Sequence, residues 1–231
     1  LDALKNEHEF VLECSEEEIP VIAPLELQNG TTLGNADGIY FAVYPKRWGR
    51  EIEVNTDEEW LRLGHVLGRI HSVGGSKKAE ARIRLHPEFS LKNDIDFLLQ
   101  GGHISRLHYD DFKDVTAQIY EKALSLNFDD TDYIRIHGDC HRANILDRPD
   151  EGLMVIDFDD MMNGPPVQDF WLLLPDLYPA SDKYLQLLLN GYRQFRDFNP
   201  RSTLLIEGLR AMRMIYFTSW CSMQREDYSF Q

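Results

Sequence analysis

Residues 136–145 read IHGDCHRANI, and residues 155–160 read VIDFDD. His137, Asp139, His141 and Asn144 crowd one ten-residue stretch, and three aspartates follow a short strand later. Polar groups at that density need a partner: a metal, a phosphate, or each other. In phosphoryl transfer one Asp orients or deprotonates the acceptor hydroxyl, while an Asn and a second Asp hold Mg²⁺ against the nucleotide phosphates. Asp139 and Asn144 stand five residues apart and Asp157 closes the next strand, so a loop and a strand end can bring all three to one point. Mg²⁺ requires hard oxygen ligands and keeps several waters, so Asn144 and Asp157 suffice as its protein ligands. Singly, Asp139 and Asn144 could be turn formers. The H-x-D-x-x-x-x-N spacing, the turn at Gly138 and the strand-borne Asp157 together favour the chemistry.

The elements that must position these residues can be read in outline. Residues 1 to about 17 have a helical pattern, with Leu1, Leu4, His8, Val11 and Leu12 on one face. Pro20 and Pro24 make the next stretch extended. A hairpin is expected from the turn at Asn29-Gly30, a loop at 35–38 and a strand at 39–44. Residues 57–73 predict a helix capped by Thr56 or Asp57, with Trp60, Leu63, Leu67 and Ile70 facing inward. The stretch 74–94 reads as loop. YIRIHGD (133–139) and GLMVIDF (152–158) read as short strands close enough to pair as a hairpin around the polar loop. Helical segments follow from about 168 onward, so a small mixed-sheet region precedes a mostly helical body.

Composition sets limits. A chain of 231 residues, 43% hydrophobic and 27% charged, can bury a real core. Its net charge of −15 argues against a surface built to neutralise nucleic-acid phosphates. The apolar runs fall short of the roughly 20 residues that span a bilayer, so no membrane partner is expected. Cys14, Cys140 and Cys221 are odd in number and lack CxxC spacing, which fits a reducing cytoplasm rather than a disulfide framework. A monomer is expected.

HGDCHRANIL with VIDFDD resembles the aminoglycoside phosphotransferase and choline kinase superfamily, whose catalytic loop reads HGDxxxxN. RIHGDCH, NGPPVQDFWLLL and LRAMRMIYF further resemble the bacterial stress response kinase A family of Ser/Thr protein kinases. The resemblance implies an α+β, bilobal, protein-kinase-like fold. Residues 1–46 would be what remains of the small N-terminal sheet lobe and 47–231 the helical C-terminal lobe. It implies Asp139 as catalytic base, Asn144 as Mg²⁺ ligand, and Asp157 as the metal-binding aspartate of the catalytic pair. ATP and Mg²⁺ are the implied cofactors, and a hydroxyl on a protein or small molecule the implied acceptor. The hinge strand points to adenine contacts near Tyr44, Pro45 and Arg47. Asp169 matches an aspartate that braces the catalytic loop, although a helix cap is an equally simple role. Asp159 or Asp160 could touch a second metal or serve structure; His141 and Arg142 could act in the loop or merely fill it. Arg210 and Arg213, one helical turn apart, could form a cationic face or salt bridges.

Glu7 matches the helix Glu that pairs with a phosphate-binding Lys in this superfamily. A glycine-rich loop and that Lys should precede the helix, and neither does: Gly30, Gly34 and Gly38 follow it and Lys5 lies on it. The resemblance therefore leads us to expect roughly 50 to 80 residues before Leu1, the size of a small lobe. Glu7 should then face an empty region beside the approach to Asp157. Three other functions compete. A small-molecule kinase acting on aminoglycosides, choline or homoserine would use the same site, and cationic substrates would suit an acidic chain. A metal-dependent hydrolase would use His137, Asp139, His141 and Asp157 as ligands, but it leaves Asn144 idle. An inactive nucleotide-binding module is favoured only by the missing front end.

Overall fold

The computed structural model describes residues 1–149 and 151–224. They form two compact units, one from Leu1–Arg82 with Tyr133–Phe198, the other from Ile83–Asp132 with the chain from Asn199 onward.

The first unit holds every candidate catalytic, nucleotide-contacting and metal-binding residue. Its helix α1 (Asp2–Glu16) buries Glu7, His8, Phe10, Val11 and Cys14. Leu1 and Leu4, expected on the inner face, are exposed, so the buried stripe is rotated from the predicted one. Strands β1 (Gly34–Ala36) and β2 (Ile39–Phe41) form a separate two-stranded sheet. Their hairpin closes at Asp37-Gly38, where both residues have positive φ, rather than at Asn29-Gly30. That geometry matches the twist of antiparallel strands.

Helix α2 (Asp57–Gly74) starts as predicted. Thr56 Oγ1 accepts from Glu59 N, and Glu59 Oε2 accepts from the amides of Thr56 and Asn55, each 2.8 Å away. Such a box satisfies amides the helix cannot and contributes about 1 kcal/mol. α2 crosses α6 (Asp182–Tyr192) closely enough that a Cβ at Gly64 would lie 1.9 Å from Leu188 O, and one at Gly191 2.1 Å from Leu61 O. Only glycine permits this approach. Trp60, Leu63, Leu67 and Ile70 are buried.

The strands around the polar loop differ from expectation. β4 (Ile134–Ile136) pairs antiparallel with β7 (Met162–Gly164). β6 (Gly152–Val155) pairs with β5 (Ile145–Arg148), which in turn pairs with β3 (Arg50–Glu51). The expected 133–139/152–158 hairpin is therefore two ladders. The polar loop is the crossover between them, leaving β4 and entering β5 through a 3₁₀ turn at Arg142–Asn144. The helical segment expected from about 168 shortens to α5 (Gln168–Trp171), with Pro175 close behind; proline disfavours helical backbone in the residue before it.

In the second unit the expected loop at 74–94 contains a helical turn at Pro87–Leu91 that runs into α3 (Lys92–Gln100). Pro87 sits in its first turn, and His86 Nδ1 accepts from Glu88 N, a start signal visible in the sequence. α4 (Tyr109–Leu124) and α7 (Ile206–Met223) pack in this unit. On α7, Arg210 pairs with Glu207 at 3.2 Å and Arg213 lies over the Tyr216 ring. Among the described residues no helix is long and apolar enough to cross a membrane.

Candidate active site

The polar loop is held from beneath by a buried carboxylate. Asp169, on α5, accepts from His137 N at 2.8 Å and Gly138 N at 2.9 Å, and its Oδ2 lies 2.9 Å from His71 Nε2. His71 and Asp169 are fully buried, and Tyr192 Oη engages the other nitrogen of the His71 ring at 3.2 Å. Burial alone would push the Asp169 carboxyl up. The His71 bond and charge, with the Gly138 amide, outweigh it and hold the carboxyl below its usual range. Asp169 therefore braces the loop and does not cap its helix, whose N-cap position is Val167. His71, 98 residues away in sequence, is a partner that the motif alone does not reveal.

Gly138 allows the loop to turn. Its φ is +87°, and a Cβ there would lie 2.2 Å from Asp160 O. Asp139 follows, partly exposed, with His141 Nε2 3.6 Å from its Oδ2. Asn144 Nδ2 donates to Asp139 O at 3.0 Å, which leaves Oδ1 as the amide atom able to face a cation. The next ladder is tied to the same residue, because Ile156 N donates to Asn144 O at 3.0 Å. One residue on, Asp157 stands at φ +64°. A non-glycine residue in that region is strained and is held there by its surroundings.

His137 is buried, with Nε2 2.9 Å from Ile156 O and Nδ1 accepting from Asp139 N at 3.3 Å. Both ring nitrogens are thus engaged, one by the loop and one by the strand end that precedes Asp157. That removes His137 from the hydrolase ligand set, and among the described residues no three His, Cys, Asp or Glu side chains gather as a metal centre. Cys140, beside Asp139, is no nucleophile: burial, then the charges of Asp169 and Asp139, push its thiol well above the ordinary value.

A cavity of about 230 Å³ opens beside Asp157, lined also by Glu7, Tyr44, Phe158 and Asp159. Of the residues considered for nucleotide contact, it gathers Glu7 and Tyr44. Pro45 and Arg47 continue the extended segment beyond Tyr44 and do not line it. Its electrostatics are acidic. Burial and then the Asp159 charge raise the Asp157 carboxyl, with Asp139 and Asp160 adding to the rise. Burial and Asp159 also raise Glu7. Tyr44 is pushed up to about 12 by burial and by the charges of Glu7, Asp159 and Asp157; its hydroxyl lies 3.2 Å from His8 Nε2.

Carboxylates that oppose one another's ionisation in this way suit a bound cation. The Asp157 carboxylate and Asn144 Oδ1 are the hard oxygen donors that Mg²⁺ takes.

Glu7 does not face an empty region. It is buried and ion-paired with Arg82 Nη2. A carboxylate this deep needs a cation or a proton, and Arg82, 75 residues along the chain, supplies the cation. The expected position near Asp157 is nevertheless observed, since both line the cavity.

Comparison with known proteins agrees with this architecture. The profile described as "Phosphotransferase enzyme family" matches residues 1–206. The chain is 33% identical to stress response kinase A of Escherichia coli strain K12, across 99% of this chain and 69% of that protein. It is 32% identical to the serine/threonine protein kinase RdoA of Salmonella typhimurium, across 100% and 69%. Among solved structures it is similar to amicoumacin kinase hAmiN in complex with AMP-PNP, Ca²⁺ and Ami, with a TM-score of 0.72, 19% identity and coverage of 99% and 72%. A microcompartment-associated aminopropanol kinase gives a TM-score of 0.67 at 15% identity, with coverage of 99% and 76%. The fold is the α+β, protein-kinase-like one.

Proposed function

The chain belongs to the phosphotransferase enzyme family, and from that premise we propose that it transfers the γ-phosphate of ATP to a Ser or Thr hydroxyl of a protein. The observation that carries this reading is the coupling of the two ladders. Asn144 touches the Asp139 carbonyl through its side chain and the Asp157 strand through its own carbonyl. The acceptor side and the nucleotide side of a transfer site are thereby fixed to each other.

Asp139 takes the proton of the attacking hydroxyl as the new O–P bond forms, while the bond from phosphorus to the β,γ-bridging oxygen breaks and ADP leaves. Asp157 is the second catalytic aspartate and, with Asn144, would hold Mg²⁺. When bound, that ion draws charge from the phosphate oxygens and orients them. Tyr44, Pro45 and Arg47 mark the adenine end, where main-chain groups make the contacts, and Glu7 lines the cavity with Tyr44. Residues 1–46 are assigned to a small nucleotide lobe, and the chain from residue 47 onward to the acceptor lobe.

The name of one relative, serine/threonine protein kinase RdoA, supports a protein acceptor. The chain's charge of −15 supports the second reading, a cationic small-molecule acceptor. A panel assay with γ-labelled ATP and the full-length protein decides between them, using a Ser/Thr-rich protein, an aminoglycoside, choline and homoserine. Label on protein hydroxyls is the expected result. Label on a small molecule alone moves the acceptor, and no transfer to any of them contradicts the reading.

A further inference from the structure

Residues 76–82 run along α1 as an irregular strap, yet they are fastened along their length. Lys77 Nζ lies 2.5 Å from carboxylate oxygens of both Glu9 and Glu13. Ala81 N donates to Asn6 Oδ1 at 2.9 Å. On the other side Asn163 of β7 accepts from Ala79 N at 3.0 Å and donates to Ala79 O at 2.8 Å and Arg82 O at 3.2 Å. The strap ends at Arg82, whose guanidinium spends each nitrogen on a different acceptor. Nε donates to Ala3 O at 2.9 Å, Nη1 to Asp159 O at 2.6 Å, and Nη2 to Glu7 Oε2.

We propose that Arg82 is a positioning residue of the phosphoryl-transfer site, which sets the spacing between the Glu7 wall of the cavity and the turn that carries Asp157. The inference rests on the reading of that cavity as the nucleotide site. Three features support it. The pair is nearly dry, with the Arg82 and Glu7 side chains 13% and 4% exposed, unlike surface ion pairs that contribute little. The acceptor at the turn is a main-chain oxygen two residues past Asp157, so Arg82 fixes backbone and touches no reacting atom. Asp157 itself stands at φ +64°, a conformation that persists only where neighbours over-determine it. Only a planar fork reaches all three acceptors at once; a lysine ammonium keeps the charge but not the geometry.

The test compares Arg82→Gln and Arg82→Lys with the wild type in the full-length protein. Calorimetry measures Mg²⁺·ATP affinity, and hydrogen exchange follows residues 157–161 without ligand. Arg82→Gln is expected to weaken Mg²⁺·ATP binding about tenfold, or 1.4 kcal/mol, and to speed exchange at 157–161 but not at 134–136. Arg82→Lys should recover part of the affinity, and both variants should bind more weakly at a temperature well below their melting transitions, which a purely structural role would not produce. Should Arg82→Gln fail to fold, Arg82→Lys decides: about threefold weaker binding supports the inference, and wild-type affinity overturns it. Wild-type affinity and exchange in a folded Arg82→Gln overturn the inference alone. A wild type that does not bind Mg²⁺·ATP overturns the nucleotide-site reading, and the inference with it.

Discussion

Replacing Asp169 by Asn changes one atom and should cost the fold dearly. The wild-type carboxylate receives two main-chain amides and a histidine nitrogen at 2.8–2.9 Å in a fully buried place. An amide side chain keeps one oxygen. Its Nδ2 must point at a group that is itself a donor, so one buried N–H loses its partner, and the charge facing His71 disappears. A buried donor left unmatched costs about 1–3 kcal/mol, and breaking a buried pair by removing one member about 3–5 kcal/mol. With shape conserved we expect a loss of about 3 kcal/mol, a large part of the ~5–15 kcal/mol by which domains are stable. The assay is urea unfolding with an unchanged slope as the check on comparable unfolded states. The pH sign follows from the depressed carboxyl. Its folded value lies below the unfolded one, so the contribution is present above the ordinary value near ~3.9 and is lost as pH falls through the folded value. A mutant within about 0.5 kcal/mol of wild type at pH 7, the scatter of a surface substitution, would refute the claim that Asp169 braces the loop.

Asp139→Asn should lower transfer on the order of 10²-fold or more while ATP affinity, measured by calorimetry, stays within about twofold, as expected of a group that serves the acceptor. Gly138→Ala should destabilise by about 1–3 kcal/mol in urea unfolding, because the new Cβ would strike the Asp160 carbonyl at a φ of +87°. In the second unit, Asp94 is raised to about 6 by burial, which outweighs the lowering influence of the nearby Ser219 hydroxyl, so its ionised form opposes folding at neutral pH. That rise sets a ceiling of about 3 kcal/mol, and partial access to solvent reduces it to about 1 kcal/mol. Asp94→Asn should therefore stabilise by about that much at pH 8. The gain should fade as pH drops through 6 toward the unfolded value of 3.8; an equal gain at pH 4 and 8 would contradict it.

What could be read from the sequence was local. Asp139 and Asn144 sit in one loop with fixed spacing, and the α2 start carries its Thr56 and Glu59 signature within four residues. The β5–β6 hairpin also had a signal in Pro149 and Gly152, but the stronger apolar runs on either side invited a direct pairing of their strands. What stayed hidden was non-local. Ile134 pairs with Gly164, His71 meets Asp169 across 98 residues, and Glu7 meets Arg82 across 75. No periodicity encodes such partners; they follow from burial, which forces each carboxylate to find a donor wherever the fold brings one. The rotated inner face of α1 has the same origin, because its buried positions include Glu7 and His8, polar residues that hydrophobic spacing does not count.

The most direct test of the account is a calorimetric titration of the full-length protein and its Asp157→Ala variant with ATP, with and without Mg²⁺. Asp157 and Asn144 are proposed as the metal's protein ligands, so Mg²⁺ should strengthen ATP binding to the wild type. The variant should bind ATP equally weakly in both conditions. A variant that retains the wild-type response to Mg²⁺ would place the metal elsewhere and contradict the site described above.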